Sequence, residues 1–225
     1  MATDAIINVN GDSVQALDVT LLLVIITLLP TLMVMMTSFT KYVVSLSFLR
    51  TAMGTQQTPP NSVLVGMAVV LTLFTMTPTL GVIKSEAYDP YVAGNITQEE
   101  FFEEAQLPLK RFMLRNVELG SLELFCNMAG ETPPETEEEL EQAVDLPLLV
   151  ITPAFVTSEL KAAFWIGFLV YIPFMLIDVI VSSTLMSMGM IMLPPSMIST
   201  PFKILLFILL DGWNLLFSTL IQTVK

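Results

Sequence analysis

The 225-residue chain contains no histidine and a single cysteine, Cys126. Without histidine, serine–histidine hydrolases, HExxH metalloproteases and histidine-ligated zinc are excluded. One cysteine cannot close an intrachain disulfide or build a thiol cluster around a metal. Cys126 therefore reads as a small apolar residue of a helix. Charge is scarce as well, at 13% of residues, where an ordinary soluble domain carries roughly 25%. No motif calls for a cofactor. Apolar residues take the place of these groups: 54% of the chain is hydrophobic and the mean hydropathy is +0.74. A membrane or membrane-associated protein is the first expectation.

The net charge of −12 is unevenly spread. Residues 84–145 hold 15 acidic and 4 basic side chains, a net of −11, which leaves −1 for everything else. The chain is an oily body with one acidic insert, and no basic patch suits a nucleic-acid partner.

Four apolar helices are expected. The first starts at Asp18 and continues through Lys41 and Arg50 to Gly54, a natural helix stop before QQTPPN. The second follows the capping residues Asn61 and Ser62 and runs to Ile83. Thr152-Pro153 predicts the start of a third, reaching past Pro173 to about Val181, and Ser199-Thr200-Pro201 the start of a fourth that ends near Thr223. They form two long kinked hairpins, each turning at a Pro-Pro, Pro59-Pro60 and Pro194-Pro195. The insert is helical by its signals: TQEE from Thr97 is a capping box, Pro108 can open a second helix, and TPPETEEELEQAV a third. The predicted divisions are an N-terminal tail (1–17), a first hairpin (18–83), the acidic insert (84–147) and a second hairpin (148–225). The fold class is all-α.

Lys41 and Arg50 supply the clear positive flank, so the Gly54 side is expected in the cytoplasm and the acidic insert outside it. No basic region precedes the first apolar run, so it either inserts unaided or has lost a leader. Length complicates a simple four-span bundle. Residues 18–54 would make roughly 55 Å of continuous helix, against a hydrocarbon core roughly 30 Å thick. Asp178, Lys203 and Asp211 also fall inside apolar helices, where exposure to lipid is costly. Oligomerisation, burying these helices in protein, answers both problems. Asp178 and Lys203 flank the second turn and are expected to pair, within or between subunits. Lys110, Arg111 and Arg115 neutralise the insert locally, and Trp165 and Trp213 suit either packing or a membrane-interface belt.

The second turn, SMGMIMLPPSMIS from Ser187 to Ser199, has four methionines, one glycine, two prolines and no charge. By composition alone, such residues most often fill a core. Met35–Gly66, Pro153–Lys203 and LLDGWNLL (Leu209–Leu216) together resemble the FliP family of flagellar type III export-gate proteins, whose injectisome relatives are the SctR proteins. The resemblance covers nearly all of both hairpins and, in the insert, only the stretch around PLKRFMLR. GTQQTPPN, with Thr55 and Thr58, favours the flagellar branch.

The resemblance implies a ring- or helix-forming pentamer that joins FliQ and FliR in a closed pore. FlhA and FlhB stand nearby, and unfolded substrates are exported across the bacterial inner membrane. The insert would then be periplasmic, and much of the complex would stand above the membrane plane. It also implies that Met188, Met190, Ile191 and Met192 form a gasket around the pore, with Ile191 departing from the family's three successive methionines. Glu159, Lys161 and Asp211 are read as subunit contacts. Methionine suits a gasket because its unbranched, polarisable side chain adapts to varied partners, and a narrow apolar ring excludes ions by dewetting. Three alternatives stand beside this reading. One is an injectisome subunit. The second is a small-solute transporter built from broken helices, although no cluster of polar groups marks a midplane site. The third is an aspartyl protease using Asp178 and Asp211, although LIDVI and LLDGW lack the expected GxGD and YD settings.

Overall fold

In the computed structural model, residues 6–9, 12–15, 23, 27, 30–32, 34–55, 57–140, 142–190 and 192–225 are described. The body is all-helical, as expected. Within the predicted N-terminal tail it adds a small antiparallel ribbon of β1 (Ile6–Val9) and β2 (Asp12–Gln15), with Ile6 opposite Gln15.

The first helix is not continuous. Helical residues Pro30–Met36 meet α1 (Phe39–Met53) at 80° across Thr37-Ser38. The break removes the difficulty of a 55 Å rod. α1 ends at Gly54, whose φ of 73° is the left-handed stop that glycine accepts without strain. α2 (Asn61–Ile83) continues with little interruption, through a wider turn at Lys84–Tyr88, to Val92. The capping box is formed: the Glu100 amide donates to the Thr97 hydroxyl, and the Thr97 amide donates to the Glu100 carboxylate at 2.7 Å. It opens α3 (Gln98–Asn116), which runs through Pro108 instead of restarting there. α4 (Leu119–Ala129) and the single turn α5 (Glu137–Leu140) complete the insert.

α6 (Leu148–Ser187) spans 40 residues, about 60 Å of helix. It begins four residues before the Thr152-Pro153 signal and ends six after Val181. α7 (Pro195–Leu209) also starts earlier than expected, with Pro195 in its first turn and Pro201 inside it. Asp211, at φ 51° and ψ 49°, separates α7 from α8 (Gly212–Gln222), and the two meet at 66°. Asp tolerates this left-handed conformation better than most residues. Gly212 follows because a Cβ there would lie 2.2 Å from the Phe207 ring.

α1 packs mainly along α6. Their closest approach is at Gly167, where a Cβ would come within 2.5 Å of Phe48. Two cores result. One joins the insert to the start of α6 through Phe112, Met113, Leu122, Ile151 and Phe155. The other joins both hairpins through Leu46, Leu49, Ala68, Phe174, Phe207 and Leu216. Outside these cores the long helices are open: Val70, Phe74, Phe168, Val179, Ile180 and Leu209 are all exposed. Among the described residues, two helical stretches, Asn61–Val92 and Leu148–Ser187, are long and apolar enough to cross a membrane, and the number rises to four if each of two bent pairs is one span.

Candidate functional site: the methionine turn and its charged supports

α6 stops at the methionine turn for a local reason. The Met190 amide bonds to the Leu185 carbonyl and the Gly189 amide to that of Met186, both at 3.0 Å, with Gly189 at φ 76°. This six-to-one and five-to-two pairing is the Schellman ending, which needs a left-handed residue at the position Gly189 holds. Pro194 and Pro195 then set the entry to α7. The seven-residue passage between the helices, residues 188–194, is short, and its methionine side chains project. Met188 and Met190 are exposed, and Met192 is 99% exposed. Met186 and Met197 flank them in the open. Ile191 lies outside the described residues. A loop that merely filled a core would bury these groups, and this one buries none of the four described methionines at 186, 188, 190 and 192.

Roughly two helical turns from the methionine turn, the Asp178–Lys203 pair joins α6 to α7. The Lys203 ammonium lies 2.6 Å from Asp178 and also donates to the Ala52 carbonyl at 3.1 Å. The Ser199 hydroxyl donates to the second Asp178 oxygen at 2.6 Å. Lys203 is nearly enclosed, whereas Asp178 remains 39% exposed. One ammonium thus ties α6 to α7 and satisfies a carbonyl in the last turn of α1, where positive charge is favoured by the helix dipole. A Cβ on Gly54 would touch the Thr200 hydroxyl oxygen at 3.2 Å. The end of α1 therefore lies against the first half of α7, the helix that follows the methionine turn.

A second charged node lies at the other end of α1 and corrects the expectation for Lys41. Lys41 does not flank the Gly54 turn. It is buried, with its ammonium 3.0 Å from Glu159 and 3.4 Å from the Thr223 carbonyl. Of the two cations used to orient the hairpin, only Arg50 remains near the turn, bonded to Asn61. Glu159, expected at a subunit contact, is 2% exposed and taken up by Lys41 of the same chain. The polar residues Ser38, Lys41, Tyr42 and Ser45 recur at helical spacing within an apolar run. That spacing was the available signal that they face inward together, as polar groups do in apolar surroundings.

Lys161 is exposed and bridges to Glu118 at 2.7 Å and to Ser121 at 3.1 Å, fastening the insert to α6. The Lys161 ammonium holds the Glu118 carboxyl below its ordinary value. The Glu118 amide also donates to the Ser158 hydroxyl oxygen at 2.9 Å. Asp211 is exposed and accepts from Asn214 at 2.6 Å. No contact joins it to Asp178, so the two aspartates do not form a dyad. Trp213 packs against Phe207 and Phe217, while Trp165 is exposed and stacks on Phe168. Among the described residues no group of acidic or cysteine side chains could hold a metal.

These features define an α-helical protein with membrane-spanning capacity, whose apolar helices extend far beyond what its own core covers and carry two ion pairs, Lys41–Glu159 and Asp178–Lys203. The chain belongs to the FliP family, whose model matches residues 22–220. It is 47% identical to the flagellar biosynthetic protein FliP of Bacillus subtilis, covering 90% of this chain and 89% of that one. It is 45% identical to that of Aquifex aeolicus, over 95% and 88%. To the FliP of Pectobacterium carotovorum it is 47% identical, over 94% and 78%.

Proposed function

We propose that the chain is a core subunit of the flagellar type III export gate. Copies of it, five by the family resemblance, assemble with FliQ- and FliR-type subunits around a closed passage. FlhA and FlhB stand nearby, and unfolded flagellar subunits cross the bacterial inner membrane through the gate. The acidic insert, residues 84–147, faces the periplasm. Met188, Met190, Ile191 and Met192 form the collar that closes the passage. The observation that carries this reading is the exposed methionine turn, held rigidly at its base by a Schellman stop, a Pro-Pro entry and the Asp178–Lys203–Ala52 clasp. A collar of this kind must be anchored firmly at its root and soft at its tip. Methionine supplies the softness, because its three torsions let it conform to residues of different size.

The broad apolar surface of α2 and α6 fits assembly, since a lone chain would leave it uncovered. The gate works by passive closure and needs no catalytic group. Replacing Met190 and Met192 by alanine tests the reading. The complex should still assemble, and cells should become permeable to ions. Unchanged ion tightness in an intact complex would reject the collar.

A further inference from the structure

Four buried side-chain oxygens reach no hydrogen-bond partner among the described residues: Ser38 Oγ, Tyr42 Oη, Ser45 Oγ and Glu159 Oε2. They do not scatter. Ser38, Tyr42 and Ser45 lie four and then three residues apart, on one face of the start of α1, and Glu159 faces them from α6. Ser38 and Tyr42 are fully enclosed, and Ser45 with them.

Elsewhere the chain satisfies its hydroxyls by ordinary means. On α1 itself, Ser47 and Thr51 bond back to the carbonyls of Val43 and Ser47 at 2.8 and 2.9 Å. Buried Thr72 and Ser158 do the same to Ala68 and Ala154. Ser45 does not, although a carbonyl four residues earlier is the usual acceptor. Thr75 and Ser38 lie beside Tyr42, and Ser38 beside Glu159 as well, but none of these pairs reaches hydrogen-bond geometry. Enclosed hydroxyls left without a partner on the helix face that meets a buried carboxylate mark a place built for a further molecule.

We propose that this node, between α1, α2 and α6, is an internal hydration site in which bound water completes the Lys41–Glu159 pair. The chemistry of the site selects the occupant. Lys41 already neutralises Glu159, so a metal cation would meet a neighbouring ammonium and an anion would meet the carboxylate. The ligand is therefore neutral. It must donate to Glu159 Oε2 and accept from hydroxyls at once, which water does, and buried waters typically make about three such bonds. Four oxygens and the spare Lys41 proton accommodate one or two waters on that basis. The site lies next to the 80° break at Thr37-Ser38, so the water sits at the joint where the chain changes direction.

X-ray hydroxyl-radical footprinting of the full chain, in its complex extracted in mild detergent, tests the site. Radicals formed from a bound water attack its neighbours even when bulk solvent cannot reach them. Tyr42 should be modified at a rate approaching that of exposed Tyr88, while the equally buried Phe112 and Met113 of the other core stay unmodified. In an assembled Ser38→Ala/Ser45→Ala variant, Tyr42 modification should be lost. A Tyr42 as inert as Phe112 in the unaltered protein would overturn the proposal, because the node would then be dry. Unchanged modification in the variant would also overturn it, because the radicals would then enter by local opening of the fold.

Discussion

Removing one partner of the Lys41–Glu159 pair should cost far more than removing both. At 3.0 Å, two unit charges attract by about 5–6 kcal/mol at an effective dielectric constant of about 20. Both side chains are out of water, at 1% and 2% exposure, so solvent cannot step in for a missing partner. Glu159→Gln keeps the shape and one hydrogen bond but leaves Lys41 as a buried, uncompensated cation. The expected cost is about 3–5 kcal/mol. For a chain of this size each kcal/mol lowers the melting temperature by about 2–4 °C, so the variant should melt roughly 6–20 °C below the parent. Lys41→Met/Glu159→Leu removes both charges and should recover most of that loss, since an apolar pair of similar volume avoids the desolvation cost. The assay is thermal unfolding of the detergent-purified complex, followed by tryptophan fluorescence. A Glu159→Gln protein that melts with the parent would refute the reasoning. So would a double variant no more stable than the single one.

The Asp178–Lys203 clasp leads to an asymmetric prediction. Lys203→Met removes the partner of Asp178 and of the Ala52 carbonyl together, and should lose about 1.5–3 kcal/mol per charged hydrogen bond along with much of the assembled complex on native gels. Exchanging the two charges should recover little, because it sets a carboxylate against the Ala52 carbonyl; full recovery would show that the carbonyl contact is unimportant. The Glu118–Lys161 bridge should respond to acid. Its Lys161 partner holds the Glu118 carboxyl below the ordinary value of 4.5, so its stabilisation is present above that pH and fades as pH falls through the lowered value. The exposed bridge contributes at most about 1 kcal/mol, and amide exchange of Glu118–Ser121 should rise in that acid range while the rest of the insert is unaffected. Gly167→Ala places a methyl 2.5 Å from Phe48 and should destabilise the α1–α6 contact by about 1–3 kcal/mol, read as a lower melting temperature with unchanged helix content.

What the sequence made legible was mostly local. Gly54 as a helix stop, the Thr97–Glu100 capping box and the Pro-Pro turns depend on a few neighbouring residues and appear where expected. Prolines misled in the other direction. Pro108, Pro153 and Pro201 looked like starts, yet each sits within a longer helix. One lost hydrogen bond is tolerable where flanking helices hold the segment in place. The break at Asp211 has a local signal in the turn dipeptide Asp211-Gly212, obscured by the long apolar runs on either side. The Lys41–Glu159 pair joins residues 118 apart in sequence, and no local pattern foretells which carboxylate a buried lysine will meet. The inward polar face of α1 was readable in principle from the spacing of Ser38, Lys41, Tyr42 and Ser45. A lysine at the edge of an apolar run is ordinarily a flank charge, which obscures that signal.

The methionine turn is the point on which the functional account stands. The most direct measurement is an electron cryomicroscopy structure of the complex extracted in mild detergent, with side chains visible at residues 186–197. Met188, Met190 and Met192 of every copy should converge on a central axis and leave an opening too narrow for a hydrated ion. Methionines packed against a neighbouring subunit away from that axis, or turned outward to lipid, would contradict the account.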